Sequence, residues 1–206
     1  MVGMERSTPG TVAVTAGAPA PPMTTRERIL QTARRLFYTR GINATGIDVV
    51  IAEAGVAKGS MYHHFRNKQA LVVAYLEKEE ELWKLASAAR DDPGASVRDR
   101  LVMFFDGISV DVIAGTFHGC PFVNAAIERP GDPDIHHVIA HYRSELASHL
   151  ATLVGTEASS PVVLKLMVLY DGAKTTAKLT RDPALVQLAA DMACTTAHEH
   201  LHSDQA

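Results

Sequence analysis

Four sets of side chains in this 206-residue chain have types and spacing that could do chemistry. His198-Glu199-His200-Leu201-His202 places two histidines four residues apart with a glutamate beside the first, the pattern in which imidazoles hold zinc and a carboxylate activates water. A hydrolytic site of that kind also needs a third ligand, usually downstream, and only Ser203-Asp204-Gln205-Ala206 follow. The match is read as chance at a fraying helix end. His137 and His141 also stand one helical turn apart, with His136 and His118 as candidates for a third ligand; they read as surface or hydrogen-bonded histidines. Cys120 beside Pro121 has no basic sequence neighbour to favour its thiolate, so a buried structural thiol is expected. The expectation from these three sets is a chain that is not an enzyme and holds no metal or cofactor. The competing reading, a zinc hydrolase with a helical accessory domain, requires bound zinc and chelator-sensitive turnover.

The fourth set binds rather than reacts. From Thr24 to Ala70 there are eight basic residues (Arg26, Arg28, Arg34, Arg35, Arg40, Lys58, Arg66 and Lys68) against Glu27, Asp48 and Glu53, a net of +5, whereas everything from Leu71 onward nets −8. A basic block on an acidic body implies that one end meets a polyanion. Lys58 can bond a phosphate or a guanine edge, Gly59 and Ser60 allow close backbone approach, and Tyr62 and His63 offer donors to phosphates or bases. Thr45 and Lys68 each stand at a predicted helix start, where backbone N–H groups favour a phosphate. These seven residues are the candidate DNA-binding set.

The elements that must position them are helices. Hydrophobic residues make up 47% of the chain, and no segment alternates with period two. Thr24 and Glu27 have capping-box spacing, Ile29, Ala33 and Phe37 follow at helical intervals, and Gly41 closes the first helix. Thr45 and Asp48 repeat the capping signal before Ile47–Ala54. Gly55-Val56-Ala57 is a tight turn, and Lys58–Phe65 is a second short helix. Ile51, Val56 and Met61 are expected to lock this pair against the first helix and leave the second free to enter a major groove. Asn67 caps a long helix from Lys68 to about Ala89. Further helices are predicted at Val97–Ala114, Phe122–Ile127, Asp134–Val154, Pro161–Thr180 and Pro183–His200, separated by Asp91-Asp92-Pro93-Gly94 and Pro130-Gly131-Asp132-Pro133, nine in all. A helical interaction protein with no DNA role is the other non-enzymatic reading; the +5 segment and its short helix pair argue against it.

At the residues running from Thr45 through Lys58-Gly59-Ser60-Met61-Tyr62-His63-His64-Phe65 to Leu71, the chain resembles the DNA-binding signature of the TetR family of repressors. Ala33, Phe37 and Gly41 fit the same pattern, so the likeness covers roughly Thr24 to Leu71. Gly119-Cys120-Pro121-Phe122-Val123-Asn124-Ala125-Ala126 is similar to the branch with LmrA- and YxaF-like regulators of drug-resistance genes. The resemblance implies an all-α fold, with an N-terminal three-helix helix-turn-helix DNA-binding domain and a C-terminal helical ligand-binding and dimerisation domain. It also implies a homodimer on a palindromic double-stranded operator, released by a small-molecule effector. One departure is Ala57, where the family commonly has Ser or Thr; alanine cannot cap the helix that follows, at a typical cost of about 1 kcal/mol.

The expected division is an arm over 1–23, a DNA-binding domain over 24–70 and a sensor and dimerisation domain over 71–206. In the last, Trp83, Phe104, Phe105, Phe122, Tyr142 and Tyr170, with the polar Asn124 and Asp171, are the candidate effector-binding set, suited to an apolar or aromatic molecule. Val162, Leu166, Leu169, Ala173 and Ala177, then Leu185, Leu188, Ala189, Met192 and Thr196, are expected to form the dimer bundle. The arm is rich in Ala, Pro, Thr and Gly and reads as disordered, without the charge and apolar pattern of a secretory signal. With two cysteines and no apolar run of membrane length, the chain is expected in the cytoplasm, away from membranes.

Overall fold

The computed structural model describes residues 23–203. The arm expected over 1–23 therefore lies, apart from Met23, outside the described residues. Among those residues there are nine helices and no strand: α1 (Thr25–Arg40), α2 (Ile47–Ala54), α3 (Lys58–His64), α4 (Lys68–Arg90), α5 (Val97–Ile113), α6 (Pro121–Glu128), α7 (Pro133–Val154), α8 (Pro161–Thr180) and α9 (Pro183–Ser203).

Local chemistry sets most of the boundaries. The capping box at Thr24 is complete: Glu27 N–H donates to Thr24 Oγ1, and Thr24 N–H donates to Glu27 Oε2 at 2.7 Å. Asn67 accepts from Ala70 N–H at 2.8 Å to start α4. Asp132 accepts from Ile135 N–H to start α7, and Pro121, Pro133 and Pro161 occupy first turns, where a missing N–H costs nothing. Gly55 ends α2 in the left-handed conformation at φ 62°, which makes the turn into α3 tight enough for the two helices to pack.

Two expectations at helix ends are corrected. Thr45 does not cap α2. Gly46 is the N-cap and has no side-chain hydrogen bond, while Thr45 is buried at 1% exposure with its hydroxyl donating to the Gly41 carbonyl at 2.8 Å. That bond satisfies the last turn of α1, so the hydroxyl ties two elements together from inside. Second, α6 begins at Pro121 and α7 at Pro133, each one residue ahead of its expected first position.

Packing makes one core across both parts of the chain. Ile29, Ala33, Leu36 and Phe37 of α1 are buried with Val50 and Ala54 of α2, Met61 of α3 and Leu71, Val72 and Tyr75 of α4. Ile51 and Val56 pack at its edge. Phe37 meets Tyr75 edge-on at 5.6 Å. α4 is continuous through the 70/71 boundary, so its first turns belong to the three-helix head and its last to the body, where α5, α8 and α9 pack closely and α7 lies against α4 and α8.

The apolar residues expected at a dimer seam are mostly spent inside the chain. Val162, Leu166, Ala173, Ala177 and Ala189 are all buried within the one chain. The faces that α8 and α9 leave outward are different ones: Leu164, Val168 and Leu179 on α8 and Leu188 and Met192 on α9 are 50–79% exposed. Leu188 and Met192 are thus the two members of the expected set that do face out. Thr196 and Leu169 are half-buried.

Candidate functional site

The three-helix head presents α3 outward. Met61 is fully buried and is the one buried residue of this helix, so it anchors the helix while the rest of its surface faces away from the core. Lys58, Gly59, Tyr62 and His63 are exposed and Ser60 is half-buried, placing five of the seven candidate DNA-binding residues on one short element. Lys58 Nζ lies 3.4 Å from Asp48 Oδ1, an exposed pairing that holds the lysine at the α2–α3 corner. Arg26 sits over the Phe65 ring at 5.1 Å, and Arg35 and Arg40 both bond Glu53. Lys68 is half-buried at the start of α4, where burial and then the nearby Arg129 pull its pKa below the usual lysine range. The first-turn amides of α2 have no side-chain cap; those of α4 share Asn67. Of the seven candidates, Thr45 alone is withdrawn from the surface, and its hydroxyl cannot serve as a phosphate contact while it is bonded to Gly41.

Behind the head lies a cavity of about 340 Å³, walled by α1, α4, α5, α6 and α8. Four of the eight candidate effector residues line it: Trp83, Phe104, Phe122 and Tyr170. Phe104 and Tyr170 are tilted against each other with centroids 4.7 Å apart, and Trp83 Nε1–H donates to Tyr170 Oη at 3.3 Å. The other four do not reach the wall. Phe105 is fully buried behind Tyr170, edge-on at 5.7 Å. Tyr142 is stacked beneath Phe122 at 3.8 Å, and burial pushes its hydroxyl above the ordinary phenol range, so it stays neutral. Asn124 lines a separate depression next to Tyr38 and His118, donating to the His118 carbonyl and accepting from Lys178 Nζ at 2.7 Å. Asp171 pairs with Arg143 at 2.6 Å between α7 and α8. Aromatic type and helical spacing identify which side chains are buried; they do not distinguish the layer that faces a cavity from the layer that supports it.

The cavity also holds residues that sequence reasoning missed. Arg34 Nε donates to Glu79 Oε1 at 2.8 Å, bringing α1 of the head into the same wall as α4. Tyr38 accepts from the His118 N–H at 3.1 Å, and its hydroxyl is pushed up by burial. Lys174 of α8 lies four residues after Tyr170, hence on the same helix face, which was the available signal. Gly119, at φ +96°, passes directly under the Lys178 stem, where a Cβ would stand 2.6 Å from Lys178 Cδ. A side chain there would be strained by the positive φ and would push the exposed Lys178 stem aside. Behind Phe104, burial lowers the His149 pKa, keeping that imidazole neutral.

A second set of bonds links the cavity's α6 to the head. Asn43 N–H donates to Glu128 Oε2 at 2.7 Å, and Asn43 Nδ2 donates to the Glu128 carbonyl at 2.8 Å. Gln69 Nε2 donates to Asp132 Oδ1, and Arg129 donates to Gln69 Oε1.

The histidine and cysteine sets are placed as follows. His141 Nδ1 stands 2.7 Å from Glu80 Oε1, a buried carboxylate that also pairs with Lys84. His198 and His202 are exposed, with rings 4.2 Å apart. Among the described residues there is no group of three or more potential metal ligands. Cys120 and Cys194 are both buried and unpaired with each other, and burial pushes the Cys194 thiol up. Among the described residues no helix is long and apolar enough to cross a membrane.

An exposed short helix locked by one residue against two others, on a basic head joined to a helical body, defines a helix-turn-helix protein. Residues 29–75 match the model of the bacterial regulatory proteins of the tetR family. A TetR-family transcriptional regulator from Streptomyces coelicolor superposes with a TM-score of 0.72 at 27% identity, over 87% of this chain and 95% of that one. The HTH-type transcriptional repressor NemR of Escherichia coli is 33% identical over 107 residues, 50% of this chain and 53% of the repressor. The HTH-type regulator YxaF of Bacillus subtilis is 49% identical over 49 residues, 23% of this chain and 26% of its own length. The chain thus spans about half, or less, of these two curated relatives. Over residues 29–75 the chain carries the tetR-family match, and its overall fold is similar to that of a TetR-family regulator.

Proposed function

We propose that the chain is a cytoplasmic transcriptional repressor that binds a palindromic operator as a homodimer and is released by a small-molecule effector. The observation that carries this reading is the disposition of α3, which buries Met61 alone and turns Lys58, Gly59, Tyr62 and His63 outward from the basic head. Lys58 and Lys68 serve the phosphates, and Ser60, Tyr62 and His63 serve base edges or the backbone between them. Two copies meet through the outward faces of α8 and α9 and set their α3 helices about 34–36 Å apart, one turn of duplex.

The effector occupies the cavity along Trp83, Phe104, Phe122 and Tyr170. Its walls include Arg34 and Tyr38 of α1, so a molecule that fits only one arrangement of α1, α4 and α6 shifts the population of head positions. The Asn43–Glu128 bonds carry movement of α6 to the α1–α2 turn. The test is selection of bound genomic fragments by the purified protein. The expected product is an inverted repeat with half-sites one helical turn, or a multiple, apart. Fragments with no shared motif would refute the repressor reading.

A further inference from the structure

Two cations in the cavity wall have no acidic partner. Lys174 is half-buried; its Nζ donates to Tyr142 Oη at 3.3 Å and stands over the Tyr170 ring, 4.2 Å from its centroid. Arg90, at the far end of α4, donates only to the Ala86 carbonyl of its own helix, at 3.1 Å. Among the described residues neither forms an ion pair, whereas three other partly buried cations do: Arg34 with Glu79, Arg100 with Asp91, Lys84 with Glu80. The two carboxylates of the wall are placed otherwise. Glu79 is taken by Arg34, and Asp111 is exposed and shared with an adjoining surface depression over α1.

A half-buried ammonium with neutral oxygens and a ring face as its partners keeps unspent electrostatic potential, because a tyrosine hydroxyl replaces only part of its lost hydration. The side chain is held by Tyr142 and Tyr170 and so presents that charge in a fixed position. The tilted Phe104–Tyr170 ring pair and the Phe122 face adjoin it. Hydrophobic walls select a planar apolar body; a fixed, unpaired cation among them selects a negative group on that body.

We propose that this cavity takes a planar aromatic acid, with its anionic group on the Lys174 ammonium and its ring against the Phe104–Tyr170 wall, and with Arg90 adding a second positive charge. This rests on the reading of the cavity as the effector site.

The probes are 2-naphthoate and 2-naphthylmethanol, which share a ring system and differ in charge, titrated calorimetrically into the full chain. Trp83, the chain's single tryptophan, reports occupancy by its fluorescence because it lines the cavity. The expected result is that naphthoate binds about tenfold or more tightly than the alcohol, the scale of one charge-assisted hydrogen bond. In Lys174→Met and Lys174→Gln the preference should fall below about threefold, while the alcohol binds as before. Equal binding of the two probes to the unaltered protein overturns the proposal and leaves the effector site standing as a neutral apolar one. A preference unchanged in both variants overturns the role of Lys174. If neither probe binds nor perturbs Trp83, the cavity is not an aromatic site, and the effector reading falls with the proposal.

Discussion

Met61 and Tyr62 are adjacent on α3 and should fail in opposite ways when truncated. Met61 is fully buried and Tyr62 is 42% exposed. Met61→Ala removes three heavy atoms from a site with no solvent to fill the gap, and buried Met→Ala changes cost about 2–5 kcal/mol. We take about 3 kcal/mol, since the head is small and the core residues of the helices α3 packs on, Ile29, Ala33 and Val50 among them, are themselves fully buried and have little room to relax. For a small domain that corresponds to a fall of roughly 12–24 °C in thermal midpoint. If the head is stable by about 5 kcal/mol, about 2 kcal/mol remains and some 3% is unfolded at 25 °C. Operator affinity at that temperature is then almost unchanged, because affinity scales with the competent fraction. It should collapse near 40 °C. Met61→Leu, which conserves volume, should cost under about 1.5 kcal/mol. Tyr62→Ala should leave the midpoint within a degree or two and weaken DNA binding about fivefold, the worth of one hydrogen bond near 1 kcal/mol. The assays are far-ultraviolet circular dichroism for unfolding and fluorescence anisotropy for DNA. An unchanged midpoint in Met61→Ala would refute the packing account of α3. Unchanged affinity in Tyr62→Ala would refute its outer face as the contact surface.

Other expectations concern acid stability, assembly and the corrected threonine. Asp91 accepts from Arg100 Nε at 2.7 Å and Nη2 at 2.9 Å, and this bonding holds its carboxyl below the usual range. A lowered folded-state pKa gives stability that is present above the unfolded value near 3.9 and disappears as pH falls through the folded one. Asp91→Asn should therefore lower the urea midpoint at pH 7, by roughly 2 kcal/mol of stability, and the gap to the unaltered protein should narrow toward pH 3. Val168 and Leu179 are 70% and 79% exposed, so Val168→Glu with Leu179→Glu should yield a monomer by sedimentation; an intact dimer would place the seam elsewhere. Thr45→Val should cost about 1–2 kcal/mol by leaving the Gly41 carbonyl without its donor, and should leave the salt dependence of DNA binding unaltered. A shallower salt slope in that variant would return Thr45 to the interface.

Most of the helical framework was legible in the sequence because its ends carry their own chemistry. The Thr24–Glu27 box, the Asn67 cap and the Gly55 turn each act within four residues, and each stands where local pattern places it. Thr45 followed the same local rule and broke it, since a contact with Gly41, closed by the fold of the α1–α2 turn, outcompeted capping. The faces of α8 show a different limit. Small and apolar residues at helical spacing identify burial, but Ala173 packing inside its own chain and Val168 facing out present the same alphabet. The cavity was half legible for a related reason: Phe122 lines it and Tyr142 supports it from 3.8 Å beneath, a difference of one layer that no spacing rule contains. Lys174 was overlooked because a lysine on a long helix ordinarily reads as solvated surface.

The central claim is most directly tested by anisotropy of the purified full chain with the duplex from upstream of its own gene, against a scrambled duplex of equal length. Salt should be varied between about 50 and 200 mM. The account predicts tight binding that prefers the upstream duplex and weakens steeply with salt, by an amount that shrinks by about one unit of slope in Lys58→Ala. Equally weak binding to both duplexes, together with no enriched motif in genomic selection, would contradict it.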